Sequence, residues 1–409
     1  MSTTQELISD EDIVAMVADL KEWPNTANDN GEFELSVTPF ITFYFTYKPE
    51  HYLDTSLAMI DVHEAFESLT GKPYTVATHP DSERPHPYGS KRLGDLREWA
   101  HKTKLNETFA FNFTDEKNYN SSPATAGYFW RQSGLFWEAR KAIPYSYMQF
   151  YYRWQWWLDN QDAWRRFVHA TIERFRPEQV YSGFAMANPL AFGTRSEVTV
   201  WDRALAPHFY GLDTDYPFGM KGIEDIQEGI RPPTWGFLLS NIWRDRLGID
   251  RHVMKAALQD PRIRIDELDC GQWIELGKQP ELYPVENGVP ELPVMLNKLL
   301  KPIRHPNLDL LGFGEWDGDP NVRFDRADTR RWMARFDEDS DWPDAAARTP
   351  AGPASSAERG LRVPSGTPCP WPGVWECEDH PTGPQTFMQG VPMPQADGRV
   401  VMWRLIKAI

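Results

Sequence analysis

The chain has 409 residues, of which 41% are hydrophobic and 25% charged. That is a globular composition, which excludes a wholly disordered polypeptide and allows roughly two to four domains or one large two-lobed body. Asp and Glu number 59 against 43 Lys and Arg, a formal net charge of −16. So acidic a chain repels phosphate backbones. This argues against a general nucleic-acid binder and fits a basic partner or simple solubility.

Residues 9–21 read as a helix, with Ser9 as N-cap, Asp12 as its capping-box partner and Ile13, Val14, Val17 and Leu20 inward. Leu35 to Tyr47 alternates as a half-buried strand, and Pro39 suggests an edge or bulge there. Pro49 opens a helix that runs to about Leu69 with Leu53, Leu57 and Ile60 on one face, and Gly71 stops it. Strands are expected over Pro73–His79 and Thr108–Phe113. The aromatic stretch 125–157 reads as two long antiparallel strands joined near Lys141 to Pro144. Its rings suit a core, with the remainder free to face a protein partner. Asp159 then caps a helix that stops at Pro177. A strand at Gln179–Met186 and a helix at Glu197–His208 follow.

In the second half, Thr234–Leu247 reads as one helix ended by Gly248, and Arg251–Leu258 as another. Ile263–Leu268 and Gln272–Gly277 form a β-hairpin with its turn at Asp269–Gly271. Helices are expected at Leu292–Leu300 and Asp325–Phe336, the second with Ala327, Trp332 and Phe336 inward. Strands and helices come in blocks, so the fold class is α+β: largely antiparallel sheets flanked by helices in a two-lobed body. The body covers residues 1–337, with a lobe division near 190–220. Residues 338–366, rich in Pro, Ala, Ser and Gly, read as a linker or exposed loop. Residues 367–409 form a small β module with strands at Val374–Cys377, Thr386–Met388 and Arg399–Leu405, expected to dock on the body.

The three cysteines, Cys270, Cys369 and Cys377, make no disulfide framework. Cys369, Cys377 and His380 lack a zinc spacing and a fourth ligand. The N-terminal MSTTQELISDEDIVAMVADL has no basic segment followed by an apolar run, and no stretch approaches the roughly 18 apolar residues of a membrane span. The expected compartment is the cytoplasm. Phosphate-binding glycine fingerprints, G-x-S-x-G and H-E-x-x-H are all missing, so no cofactor is expected. Asp61, His63 and Glu64 cannot converge on one helix face and read as solvated surface. His79 and His86 bracket a surface loop.

The cluster Glu315-Trp316-Asp317-Gly318-Asp319 admits several readings. It resembles half a calcium loop but lacks the Glu at the twelfth position. Glu315 and Asp317 could serve as glycosidic acid and base beside a Trp platform. It could be an acidic turn. As a partner-binding patch, Glu315, Asp317 and Asp319 would offer negative charge and Trp316 an amphipathic anchor.

Several short segments, in order, carry a resemblance. They are Pro87-Tyr88, the stretch Leu93 to Trp99, Tyr181-Ser182-Gly183-Phe184-Ala185, and Tyr210-Gly211-Leu212-Asp213. Gly229 to Trp235, Asp269-Cys270-Gly271 with Ile274 to Gly277, and Leu299 to Arg304 complete the series. Together they resemble the type VI secretion immunity family described as immunity to VRR-Nuc-type nuclease effectors (TsiV-like), over about residues 33–336. The tail Gly366 to Trp375 with Gly390 to Pro394 resembles a small module of related bacterial immunity proteins. The resemblance implies a non-enzymatic inhibitor that occludes a cognate toxin, a basic nuclease, in the cytoplasm. It transfers no catalytic or interface residues. A cytosolic carbohydrate-active hydrolase and an effector chaperone or adaptor remain the alternatives.

Overall fold

The computed structural model describes residues 8–24, 27–29, 34–78, 84–191, 195–217, 225–306, 308, 310, 326–343, 362–369, 373–388 and 390–408. Helix α1 (Asp10–Glu22) begins where Ser9 and Asp12 cap each other reciprocally. It buries Ile13, Met16, Val17 and Leu20, while Val14 turns outward at 60% exposure. After the short β1 (Ala27–Asp29) comes β2 (Glu34–Phe45), which is buried from Leu35 onward. The expected half-burial fails because both faces of β2 are covered. Phe43 and Phe45 pack toward rings at Phe150 and Phe175, whereas Thr42 and Tyr44 reach the segment around Asp215. Pro39 is no edge residue. It lies within the β2 ladder, and its carbonyl accepts from the Tyr152 N–H on the side where the neighbouring strand ends, so its missing N–H costs no ladder bond.

A single 3₁₀ turn from Pro49 leads into α2 (Tyr52–Leu69), and Gly71 at φ +79° turns the chain out of the helix. Its buried face is Met59, Ile60, Val62, His63 and Phe66, with the expected Leu53, Leu57 and Leu69 half-buried at its margin. Strands β3 (Val76–Thr78) and β4 (Pro85–Pro87) follow, then α3 (Leu96–Lys102), capped by Asp95. His86 therefore sits on a strand, and His79 lies outside the described residues.

The aromatic stretch differs from two long strands. Strands β5 (Phe109–Thr114) and β6 (Ala126–Arg131) pair, α4 (Leu135–Arg140) intervenes, and β7 (Ser146–Tyr151) closes the set. Trp154 already opens α5 (Trp154–Phe175). Asp159 does not cap this helix. The signal it gives marks a kink, because Asn160 departs to φ −130°. Strand β8 (Gln179–Met186), α6 (Arg195–Leu205) and β9 (Leu212–Asp213) come next.

Gly236–Ser240 is a strand, β10, where a helix was expected, and only Asn241–Leu247 (α7) is helical. The run Gly-Phe-Leu-Leu is buried on every side, so it carries no period to separate strand from helix. A Cβ at Gly236 would stand 2.8 Å from the Trp273 ring, which identifies a close strand approach. Helix α8 (Arg251–Ala257) precedes the hairpin β11 (Ile263–Leu268) and β12 (Gly271–Leu276), with helices α9 (Glu291–Leu300) and α10 (Arg326–Met333) beyond. Trp332 and Phe336 are buried as expected, but Ala327 is exposed and Thr329 points inward instead.

These strands form one twelve-stranded sheet in the order β11-β12-β10-β8-β2-β7-β6-β5-β3-β4, with β1 beside β2 and β9 beside β8. Every pairing is antiparallel except β8 with β9. The class is α+β with a largely antiparallel sheet. Strands β8 and β10, either side of residues 190–220, are neighbours in it, and one buried cluster runs through both halves. Residues 338–343 pack on this body: Trp342 is buried and its carbonyl accepts from the Tyr210 hydroxyl. Residues 344–361 lie outside the described residues.

At the C-terminus, β13 (Arg362–Pro364), β14 (Gly373–Cys377), β15 (Gln385–Phe387) and β16 (Met402–Ala408) make a four-stranded sheet in the order β13-β16-β14-β15. It has one strand more than expected, and that strand begins within the stretch read as linker. Trp375, Trp403, Leu405, Cys369 and Cys377 give it a buried cluster of its own. His380 Nε2 lies 2.9 Å from Asp397.

His63 is 2% exposed and stacks on Phe113 with ring centroids 3.9 Å apart, so the solvated-surface expectation fails for it. Burial lowers its pKa from 6.5 to about 3. The folded state holds it neutral, whereas the unfolded chain takes up a proton below pH 6.5. This part of the stability is therefore complete above pH 6.5 and is lost as pH falls toward 3. At pH 5 the loss is about 2 kcal/mol. Urea melts at pH 7 and pH 5 should show that loss in the wild type beyond any loss in His63→Phe. Equal pH slopes in the two proteins would contradict it.

Candidate functional site

The most tightly connected polar group is a buried ion cluster beside the central strands. Asp213 ends β9, Asp215 follows two residues later, and Arg231 comes from the segment leading to β10. Arg231 donates through Nη1 to Asp215 Oδ1 at 2.6 Å and through Nη2 to Asp213 Oδ2 at 2.6 Å. Its Nη2 also reaches the Thr214 carbonyl at 2.5 Å. The Thr42 hydroxyl from β2 donates to the other Asp215 oxygen, joined by Gln149 Nε2 from β7 at 2.6 Å. Tyr151 and Asn188 donate to the Asp215 main-chain carbonyl. The Tyr181 hydroxyl takes the Arg231 N–H, and the guanidinium lies 4.7 Å from the Tyr181 ring centre.

Burial pushes the Asp215 carboxyl above its ordinary value, and the Arg231 guanidinium and Thr42 hydroxyl pull it back. The two carboxylates in turn hold Arg231 firmly protonated. Neither Arg231 nor Asp215 has any exposed side-chain surface. They are closed to solvent, and the cluster fastens β2, β7 and β8 to the crossing chain.

The surrounding glycines explain the path. A Cβ at Gly229 would stand 2.5 Å from the His305 backbone, and one at Gly211 would stand 2.1 Å from the Glu281 carbonyl. Ile230 exchanges backbone hydrogen bonds with Ile303 and His305 across the same contact. Thus Tyr181–Ala185, Tyr210–Asp213, Gly229–Trp235 and Leu299–Arg304, far apart in the chain, meet around one cluster. A cleft beside it is lined by Asp213, Trp235, Glu281, Tyr283, Arg335 and Phe336. Its volume of about 20 Å³ suits a water molecule and not a sugar or nucleotide.

The sequence-predicted residues stand elsewhere. Glu315, Trp316, Asp317 and Asp319 lie outside the described residues. Asp61 and Glu64 are on the α2 surface, where Arg97 bridges them at 2.8 and 2.6 Å and Arg174 also pairs with Asp61. Among the described residues, no group of His, Cys, Asp and Glu is arranged to hold a metal ion. Most rings of the aromatic stretch are core, but Leu135 and Trp137 on α4 are 60% and 40% exposed. Among the described residues, no helix is long and apolar enough to cross a membrane.

Sequence reading missed the Asp213–Arg231–Asp215 cluster. Its members lie in or beside quoted motifs, but charges flanked by apolar residues were the available signal and were not drawn together.

Residues 59–336 match the family model TsiV, described as type VI immunity for VRR-NUC. Among solved structures, a Pseudomonas aeruginosa T6SS protein, PA0821, is similar at a TM-score of 0.63 and 19% identity. The match covers 81% of this chain and 92% of that one, and shows a shared fold. No sequence among curated proteins matches the chain.

Removing one carboxylate should expose the cost of the cluster. Asp215→Ala leaves Arg231, Thr42 and Gln149 short of partners and should lose about 3–5 kcal/mol in urea unfolding. Arg231→Met leaves two facing carboxylates, so its deficit should shrink as pH falls and they take up protons. A deficit independent of pH would show that the two carboxylates do not repel in the fold.

Proposed function

The chain belongs to the TsiV family of type VI immunity proteins, and we propose that it neutralises its cognate effector by stoichiometric binding and not by catalysis. The observation that carries this is the family match over residues 59–336, which takes in Gln149, Tyr181, Asp213, Asp215 and Arg231 of the ion cluster. The partner is a VRR-Nuc-type nuclease domain, and the chain occludes the surface on which that domain holds nucleic acid.

Elementary electrostatics supports the choice of surface. A nuclease must hold phosphates, so its substrate face is basic. A chain of net charge −16 is drawn to such a face, and the encounter is fast. The cytoplasm is where the nuclease meets nucleic acid, and there the inhibitor acts. Part of the contact falls on Glu315, Trp316, Asp317 and Asp319, where three carboxylates and an amphipathic ring stand within five residues.

The direct test is dosage. Cells expressing the effector should survive only when this chain is made in at least equal amount, and DNA integrity should follow the same ratio. Protection by trace amounts would defeat the binding reading.

The electrostatic component has its own check. The association rate should fall as salt rises, because exposed charges are screened beyond about 8 Å at physiological ionic strength. A flat rate across the salt series would remove charge steering from the account.

Replacing Glu315, Asp317 and Asp319 together with Asn should cost at least about 2 kcal/mol of effector binding while thermal stability holds. Unchanged affinity would take the stretch out of the interface.

A further inference from the structure

The twelve-stranded sheet ends differently on its two sides. Strand β4 closes one edge with only three residues, and Pro85 and Pro87 among them have no N–H to offer. Strand β11 closes the other with six residues and no proline. The phase of its hydrogen bonds is fixed by the Gly277 N–H, which donates to the Arg262 carbonyl beside the Ile263–Leu276 pair. Arg264, Asp266 and Leu268 therefore turn their backbone groups toward β12, while Ile263, Ile265 and Glu267 turn theirs away from it. The Ile263 N–H is taken by the Asp260 carbonyl. Among the described residues, no backbone partner meets the outward N–H and C=O groups of Ile265 and Glu267.

The side chains of this edge are self-complementary. Arg264 and Asp266 project to the face where His169 of α5 approaches Asp266 at 3.3 Å. Glu267 projects to the opposite face, where Arg251 and Lys255 of α8 hold it at 2.9 and 2.8 Å. An antiparallel neighbour must match outward residues with outward residues. Centring the pairing on Ile265 does so, with Ile265 opposite Ile265 of the other strand and Ile263 opposite Glu267. That register sets Arg264 across from Asp266 twice, at the closer, non-hydrogen-bonded spacing. Edge charges of one sign would repel a copy of themselves, whereas Arg264 and Asp266, joined at 2.9 Å within each strand, exchange that partner for its equivalent across the edge.

We propose that β11 is a self-association edge, at which a second copy of this chain pairs antiparallel about a two-fold axis through Ile265. The bonds gained are the two exchanged between the Ile265 residues and one from each Glu267 N–H to the opposing Ile263 carbonyl. The Arg264–Asp266 pairs set the register. A six-residue strand pair is smaller than a standard interface, so association rises with concentration. The mutual repulsion of two chains at −16 is screened at physiological salt, which is where the dimer forms.

The test uses the full chain in sedimentation equilibrium over a concentration series at physiological salt. The wild type should pass from monomer to dimer, and the amides of Ile265 and Glu267 should gain protection from hydrogen exchange in parallel. Arg264→Asp alone and Asp266→Arg alone should each stay monomeric, because like charges then face each other twice. Mixing the two variants should restore a dimer containing one of each, since every pair is then opposite in sign. A wild type monomeric at every concentration would overturn the proposal. So would a dimer in which the Ile265 and Glu267 amides stay unprotected, or protection that appears only when the effector is added. The hydrogen-exchange arm needs no substitution and stands even if a variant fails to fold.

Discussion

Two buried carboxylates with a guanidinium between them set the terms for the rest of this fold. Arg231, Asp213 and Asp215 are removed from water, and the hydration each loses is replaced by the others together with Thr42, Gln149 and the Thr214 backbone. The geometry must therefore be met closely, and the elements that meet it are distant in sequence. Thr42 and Gln149 come from adjacent central strands, Tyr181 from a third, and the chain from Tyr210 to Trp235 crosses over them. A hydrophobic contact would tolerate several arrangements of that crossing, whereas a fork of two short ion pairs tolerates few.

This division of labour bears on function. The charges of the cluster are spent on holding one arrangement, and the neighbouring cleft has room for a water molecule. On the proposed reading, recognition falls to the outer surface. Four of the segments that carry the family resemblance, Tyr181–Ala185, Tyr210–Asp213, Gly229–Trp235 and Leu299–Arg304, converge on the cluster and on the glycine crossings beside it. They report the frame and say little about which effector is held. An inhibitor profits from such a frame, because a rigid surface loses less conformational freedom on binding.

Much of the frame was legible in the sequence. The Ser9–Asp12 capping box, the strand at Gln179–Met186 and the hairpin around Asp269–Cys270 follow from local chemistry alone. The errors fall where burial on all sides erases periodicity. Gly236–Ser240 looked helical because its apolar run has no exposed face, and β2 looked half-buried because its threonines face a polar interior instead of solvent. His63 looked like surface because it sits between two carboxylates in sequence, yet it points between aromatic rings. The ion cluster stayed hidden for another reason. Its partners are brought together by topology, and no local pattern shows that Asp215 and Arg231 share a site with Thr42. The acidic stretch at Glu315–Asp319 is legible only as composition, which indicates charge without giving its placement.

On the proposed reading, one chain silences one effector by occupying it. The most direct measurement titrates the purified chain into a fixed amount of the effector nuclease, well above the dissociation constant, and follows DNA cleavage. The account predicts a linear fall in activity that reaches zero at one chain per effector, with active nuclease recovered after denaturation and separation. Inactivation at a small fraction of that ratio, or an effector that stays inactive after separation, would contradict it.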